Sequence, residues 1–485
     1  MRLRFSLLAS TLIFLMQPEA APWAGTETVT AFVHVNLVPM TEEIVLPDHT
    51  VLVAGKRIVA IGPAGRIDVP ATARVIDGSG CFLMPGLADM HIHLRENWLG
   101  GSWPVSPFFL YLANGVTTIR CFGPGGKSGR YALRWREEID SDRRVGPRIY
   151  TCGPSLRGPV QHPELEVIRQ RYRGFDFIKI YSYVTPAEFR EATATAAKLG
   201  IYTAGHIPFQ VGLDGALSAK MDEIAHVEEL WWELVDFDRH KALSGAAWMP
   251  YVIAAAFEEY RPFLGLDESE IENRMGPLIA GIVAKLKGKA IPVCTTLFID
   301  EVIVEKLHRP QAFLDKPVNR YLPQWYIDQF RQGKEKHQRQ FKGGEEFAPF
   351  KYSIDRLILK ALRENRIPLL LATDAGTGGM GLVPGFSIHD ELRILVENGF
   401  SPYEALATGT TNVSPVIRDM TGQGNLGTIE VGHRADLLLV ERNPLDDVAH
   451  IRKLRGVMAA GRWHEAQALR EIISLGTSTD SGGLQ

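Results

Sequence analysis

The chain has 485 residues, 45% hydrophobic and 22% charged, with a formal net charge of −3. It is long enough to bury a large core and to hold two domains. The near-neutral balance gives no basis for a nucleic-acid partner or for adhesion to a membrane surface, and the ordinary apolar fraction excludes a wholly disordered chain.

The N-terminus differs from the rest. "MRLRFSLLASTLIFLMQPEAA" sets Arg2 and Arg4 before an apolar run from Phe5 to Met16, followed by Pro18 and small residues. That is the order of a secretory signal, and the run is short for a bilayer span. The expectation is a signal peptide over 1–24, a secreted or periplasmic mature protein, and no stable membrane insertion after processing. Residues 25–83 read as short strands. "TVLVAGKRIVAIGP" alternates apolar and polar residues and turns at Ala54-Gly55-Lys56, and "ARVIDGSGCFLMPG" forms a second pair around Asp77-Gly78. The same texture returns in "LGTIEVGHRADLLLVE" and "VMAAGRW". One small β-domain built from both chain ends, 25–83 with 420–470, accounts for both pieces and leaves 471–485 as a tail.

Between them, over 84–419, apolar strands alternate with helical stretches, which argues for a parallel α/β architecture. The candidate strands are "LADMHIHL", "VTTIRCF", "RIYTCG", "DFIKIY", "GIYTAGH", "DEIAHV", "AIPVCTTLF" and "PLLLATD". Eight such units fit a (β/α)8 TIM-like barrel. The long segments 230–289 and 298–352 read as helical insertions over one face. The second contains "QWYIDQFRQGKEKHQRQFKGGEEF". Its ordinary reading is a solvated helix face, with a clamp for an anionic substrate as the alternative. Cys81, Cys121, Cys152 and Cys294 form no CxxC pair and read as buried free thiols.

In a barrel, chemistry gathers at the C-terminal ends of the strands. The first strand there carries His91 and His93, which at i and i+2 share one face. Such a pair is by itself a weak signal among 14 histidines. The later strands end in Lys179, His206, His226 and Asp374, and six such groups in barrel order make a constellation. Imidazole and carboxylate are good ligands for zinc and similar divalent ions. A lysine is not, but a buried one favours its neutral amine. That amine can take up carbon dioxide and become a carbamate, a carboxylate able to bridge two metals. "DAGTGGMGLVPG", residues 374–385, resembles a mobile loop at a pocket mouth and lacks the ending of a phosphate cradle.

With these residues in place, the chain resembles the amidohydrolase superfamily, in its binuclear branch with a carboxylated lysine. Within it the chain is similar to secreted Xaa-Pro dipeptidase-like, imidazolonepropionase-related amidohydrolases. The resemblance rests on "GSGCFLMPGLADMHIHL", "FDFIKIY", "GIYTAGH", "IAHVEE", "LLLATDAG", "ELRILVENGFSPYEALATGTTN" and "LGTIEVGHRADLLLVERNP". It implies a β-sandwich flanking the barrel. It implies two divalent metal ions, zinc being the expected one, although such ligands also accept manganese, cobalt or iron. His91, His93 and Asp374 would hold the more buried ion, His206 and His226 the other, and carboxylated Lys179 would bridge. A metal-bound hydroxide would be the nucleophile, and Asp374 would take its proton and pass it to the leaving amine. Tyr181 and Tyr183 become candidate donors to the oxyanion. His389 and His162 are weaker candidates for substrate contact, and His389 also for support of a ligand.

The implied function is hydrolysis of a C–N amide bond in a small-molecule substrate: a dipeptide, an N-acyl amino acid or an aryl amide. The same centre would also support hydrolysis of a lactone, a carbamate or a phosphotriester. A non-catalytic scaffold is the remote alternative, against which the complete ligand set argues. A mononuclear deaminase is disfavoured by Lys179 and by Ile-Pro-Phe after His206. After the sixth-strand histidine many family dipeptidases continue with Gly and Tyr or a small polar run. Here "HVEELWWELVD" brings Glu228, Glu229, Trp231 and Trp232, pointing to a bulkier or aromatic substrate group. The oligomeric state stays open, a homo-oligomer included. Export predicts a mature chain beginning near Gly25; N-terminal sequencing of exported protein checks this, and a chain still starting at Met1 would contradict cleavage.

Overall fold

A computed structural model describes residues 28–96, 103–123, 128–376 and 380–476. The expected signal peptide lies outside the described residues, as do parts of the glycine-rich 374–385 segment and of the tail. The two chain ends share one sheet of eight strands. From the first end come β1 (Val29–Leu37), β2 (Leu46–Ala54), β3 (Arg57–Pro63), β4 (Arg74–Asp77) and β5 (Phe82–Pro85). The sheet order is completed from the other end by β14 (Leu437–Val440), β15 (Leu454–Ala459) and β16 (Arg462–Glu465), running β16-β15-β14-β5-β1-β2-β3 with β4 beside β1. The β2–β3 turn falls where alternation predicts it, with Gly55 at φ 54° supplying the left-handed backbone. The seam between the ends is the antiparallel β5–β14 pair, with Met84 opposite Leu438 and Pro85 opposite Leu437. Phe32, Val51, Leu83 and Leu437 are buried on one face of the sheet, and the Trp463 ring meets Phe32 edge-on at 5.3 Å.

The intervening chain forms eight short parallel strands, each inside one of the eight apolar stretches. They are β6 (Leu87–Ile92), β7 (Val116–Cys121), β8 (Arg148–Thr151), β9 (Phe177–Ile180), β10 (Tyr202–Gly205), β11 (Glu223–Ile224), β12 (Val293–Cys294) and β13 (Leu369–Leu370). They pair as β6-β7-β8 and as β13-β12-β11-β10-β9. Parallel bridges Cys152↔Phe177 and Leu156↔Ile180 link the chain after β8 to β9, and Ile92↔Ala375 links β6 to the residues after β13. This arrangement is compatible with a TIM barrel.

The β9–β10 unit shows why the sequence folds this way. Thr185 and Glu188 form a reciprocal capping box that starts the helix Pro186–Leu199, and Gly200 ends it at φ 58°. Its buried residues Phe189, Ala192 and Ala196 repeat at helical spacing, and the chain returns to pair β10 in parallel with β9. The two long segments are helical. The first includes Trp248–Tyr260 and Glu268–Leu286; the second includes Phe298–His308 and Phe347–Glu364. Among the described residues no helix is long and apolar enough to cross a membrane.

Arg120 and Glu223 are both wholly buried and form an ion pair between β7 and β11. Arg120 Nη1 donates to Glu223 Oε2 at 2.7 Å, Nη2 donates to Oε1, and Nε donates to the Met90 carbonyl at 2.8 Å. Tyr202 on β10 donates to Glu223 Oε2 at 3.1 Å. Breaking a buried pair from one side leaves a charge without compensation. Arg120→Met should therefore destabilise the protein by about 3–5 kcal/mol, read as a lowered midpoint in urea unfolding, and an unchanged midpoint would show that the pair does not hold these strands together.

Candidate active site

The first-strand histidines and the aspartate after the last strand converge. His93 Nε2 lies 2.9 Å from Asp374 Oδ1, and His91 Nε2 lies 3.5 Å from the same oxygen. These three side chains offer ligand atoms all within 4.8 Å of one another. Asp374 occupies a left-handed backbone at φ 59°, a conformation that Asp tolerates better than most residues. Its amide donates to the His91 carbonyl at 2.7 Å, tying the end of the last strand to the first. The ring centroids of His91 and His226 are 4.4 Å apart, and those of His206 and His226 are 5.0 Å apart. Lys179 and His91 both contact the Phe122 ring, the ammonium at 4.7 Å and the imidazole stacked at 3.9 Å.

All four histidines are held by Nδ1. His91 Nδ1 meets the Ala225 carbonyl at 3.1 Å, and His93 Nδ1 meets the Gly123 carbonyl at 3.2 Å. His226 Nδ1 lies 3.0 Å from Thr296 Oγ1, and His206 Nδ1 contacts the Glu229 carboxylate. An imidazole anchored through one nitrogen presents the other in a fixed direction, which is how metal-ligating histidines are held. Lys179 Nζ and His91 Nε2 are buried and make no hydrogen bond among the described residues. Leaving such atoms buried and unsatisfied is costly, so the donor set fits a bound cation.

The electrostatics agree with that fit. Burial, with the neighbouring cationic groups, pushes the His91 and His206 imidazoles well below their ordinary range and His226 to about 3. All three are therefore neutral near pH 7, the form that ligates. Burial pushes the Lys179 ammonium down to about 8, against the pull of Asp374 and Glu229. Burial also acts to raise Asp374, but its contact with His93 and the nearness of Lys179 outweigh it and hold the carboxyl below its usual value. Glu229 is pushed up to about 8 by burial and by Glu228 beside it.

These groups open into a cavity of about 700 Å³ lined also by Tyr181 and Tyr183. Tyr181 packs 4.4 Å from the His206 ring, under the Arg157 guanidinium at 4.0 Å. The other two candidates are not brought there. His162 is an exposed residue at the start of the helix Pro163–Tyr172. His389 is buried with Nε2 3.1 Å from Asn114 Oδ1, away from the cavity lining. Of the two tryptophans, Trp232 lines the cavity, whereas Trp231 packs into the core against Tyr260 and Phe347. Sequence reasoning did not find the anchoring of His206 by Glu229, which sits three residues past His226 at the start of a short helix. The pair Glu228-Glu229, one residue beyond the strand-end His226, was the available signal. Thr296 carried none.

No protein-family model matches the chain. An adenine deaminase of Deinococcus radiodurans is 34% identical over 126 residues, 24% of this chain and 20% of that protein. A dihydroorotase of Mycobacterium leprae is 59% identical over 46 residues, 10% of each. The chain thus matches about a fifth or less of the length of these relatives. Among solved structures, a Xaa-Pro dipeptidase with bound methionine is 20% identical, with a TM-score of 0.58 over 90% of this chain and 100% of that one. A bottromycin amidohydrolase is 20% identical, with a TM-score of 0.65 over 93% and 90%. The sequence matches are local, and what the chain shares with the solved structures over most of its length is the fold.

Proposed function

We propose that the protein is a binuclear metal-dependent hydrolase that cleaves a C–N amide bond, on a closed (β/α)8 barrel flanked by a β-sandwich. The observation that carries this reading is the set of four histidines, each anchored at Nδ1, around a buried lysine without a hydrogen-bond partner. His91, His93 and Asp374 would hold one divalent ion and His206 and His226 a second, with Lys179 as a bridging carbamate. Bound there, such ions supply an acidified water and an electrophile for the scissile carbonyl. The chain's own residues do the rest. Asp374, held anionic against His93, is placed to accept a proton from the attacking water and return it to the leaving amine. Tyr181, beside His206, is the better placed of the two tyrosines to donate to the developing oxyanion. The apolar wall with Trp232 supports a bulky acyl or aryl group over a small dipeptide. The names of the neighbours, a dipeptidase and an amidohydrolase, support C–N hydrolysis. A screen of dipeptides, N-acyl amino acids, aryl amides and the cyclic amide dihydroorotate on zinc-loaded protein, with adenine included, tests the reading; turnover confined to adenine would overturn it.

Two variants probe the roles. Asp374→Asn keeps the size and one oxygen donor but loses almost all basicity. Much of the metal should remain while kcat falls by roughly 10²–10⁴, and near-normal turnover with metal retained would remove Asp374 from proton transfer. Glu229→Gln weakens the anchor on His206, so affinity for the divalent ion should fall roughly 10–100-fold. Chelator competition measures it, and unchanged affinity would make the contact a packing feature only.

A further inference from the structure

The cavity carries an imbalance of charge that the hydrolytic centre does not use. Its lining carboxylates are all engaged. Glu228 and Asp300 meet the Lys351 ammonium at 3.1 and 2.9 Å, Glu229 holds His206 and the Ile207 amide, and Asp374 faces His93. Three lining cations, Arg95, Arg157 and Lys336, meet no carboxylate among the described residues. Lys336 opens the short helix Lys336–Gln340 within the second helical segment, and its neighbour His337 lines the same cavity.

His337 has a fixed polarity. The buried Lys306 ammonium lies 2.7 Å from His337 Nδ1 and donates to Glu335 Oε1 at 3.1 Å and to the Met380 carbonyl at 3.0 Å. An ammonium has donors only, so Nδ1 must accept and the ring proton must sit on Nε2. Burial and the adjacent lysines hold the ring neutral, so this tautomer stands while Lys306 keeps its proton. Nε2 makes no hydrogen bond among the described residues, and the His337 side chain lines the cavity. It is an obligatory donor beside an unpaired ammonium.

We propose that His337 and Lys336 form a recognition subsite for a carboxylate on the substrate, so that the preferred substrate joins an apolar or aromatic acyl group to a free carboxylate, as in an N-aroyl amino acid. The reaction assigned to such a substrate rests on the hydrolase reading above, but the subsite itself does not. The apolar part has its own wall in Met249, Ile253, Ile303, Phe341 and Phe347. Lys306 is a positioning residue, acting only through the tautomer of His337.

The test compares N-benzoyl-L-leucine with its C-terminal methylamide on zinc-loaded full-length protein, by calorimetric binding and by kcat/KM. Wild type should prefer the carboxylate. His337→Leu and Lys336→Met should each cut the carboxylate-over-methylamide ratio roughly tenfold, in Kd and KM more than in kcat. His337→Gln, which can still donate toward the cavity, should recover most of the ratio. Should His337→Leu fail to fold, Lys336→Met, at an exposed side chain, reads the subsite alone. A carboxylate preference lost in the variants, without turnover of either compound, would keep the subsite and remove the hydrolase reading. Turnover of both compounds with a ratio unchanged by the variants would do the reverse. A wild type that binds neither compound, or binds both alike, overturns the subsite.

Discussion

The centre of this protein stands on a buried stack that begins with the Arg120–Glu223 ion pair. Two fully desolvated charges are costly unless each finds its partners, and here they do. Arg120 reaches a carboxylate on β11 and a backbone carbonyl on β6, while Tyr202 from β10 adds a further donor to Glu223. Four strands are thereby held at one level. The guanidinium also lies 4.6 Å from the Phe122 ring, and that ring touches His91 and Lys179. A slip of one residue in β7 would turn Arg120 and Phe122 to the other face. It would leave Glu223 unpaired and withdraw the surface against which two of the site groups rest.

Above this layer, the side chains are held from outside the site. Each histidine is tied at Nδ1 to a carbonyl, a hydroxyl or a carboxylate contributed by a different strand end or loop. This leaves a small volume bordered by imidazole nitrogens, one carboxylate and one amine. Such a volume disfavours bare charge, which is why the imidazoles of His91, His206 and His226 are driven toward their neutral form and the lysine toward its amine. The strain of the left-handed Asp374 backbone is one cost of bringing the last strand end against the first.

The inserted helices serve the cavity rather than the strands. Lys351, on the helix Phe347–Glu364, closes a buried network with Glu228, Asp300 and Asp355. A buried network of this kind holds its members in one arrangement. It engages Glu228 and Asp300 of the wall, while Arg95, Arg157 and Lys336 meet no carboxylate among the described residues. The second segment, whose charge reads first as a solvated surface, contributes both: most of its charged side chains face solvent, while Lys336 lines the cavity beside His337.

The positions of the eight parallel strands, the sharing of one sheet by both chain ends and the convergence of His91, His93 and Asp374 were all legible in the sequence. Strand periodicity, turn chemistry and the order of titratable groups at strand ends are local properties that survive in a linear string. The pairing of Arg120 with Glu223, the anchoring of His206 by Glu229 and of His226 by Thr296, and the clamp of Lys306 on His337 were not. Each joins residues between 23 and 103 positions apart, through side chains whose types are ordinary at those places. His389 and His162 show the converse, since a histidine in a suggestive context reaches a site only if its element points that way. Residue types and their spacing determined which groups were available for chemistry. Only the tertiary structure decided which nitrogen of each ring faced inward, because that depends on the partner holding the other nitrogen, and the partner comes from elsewhere in the chain.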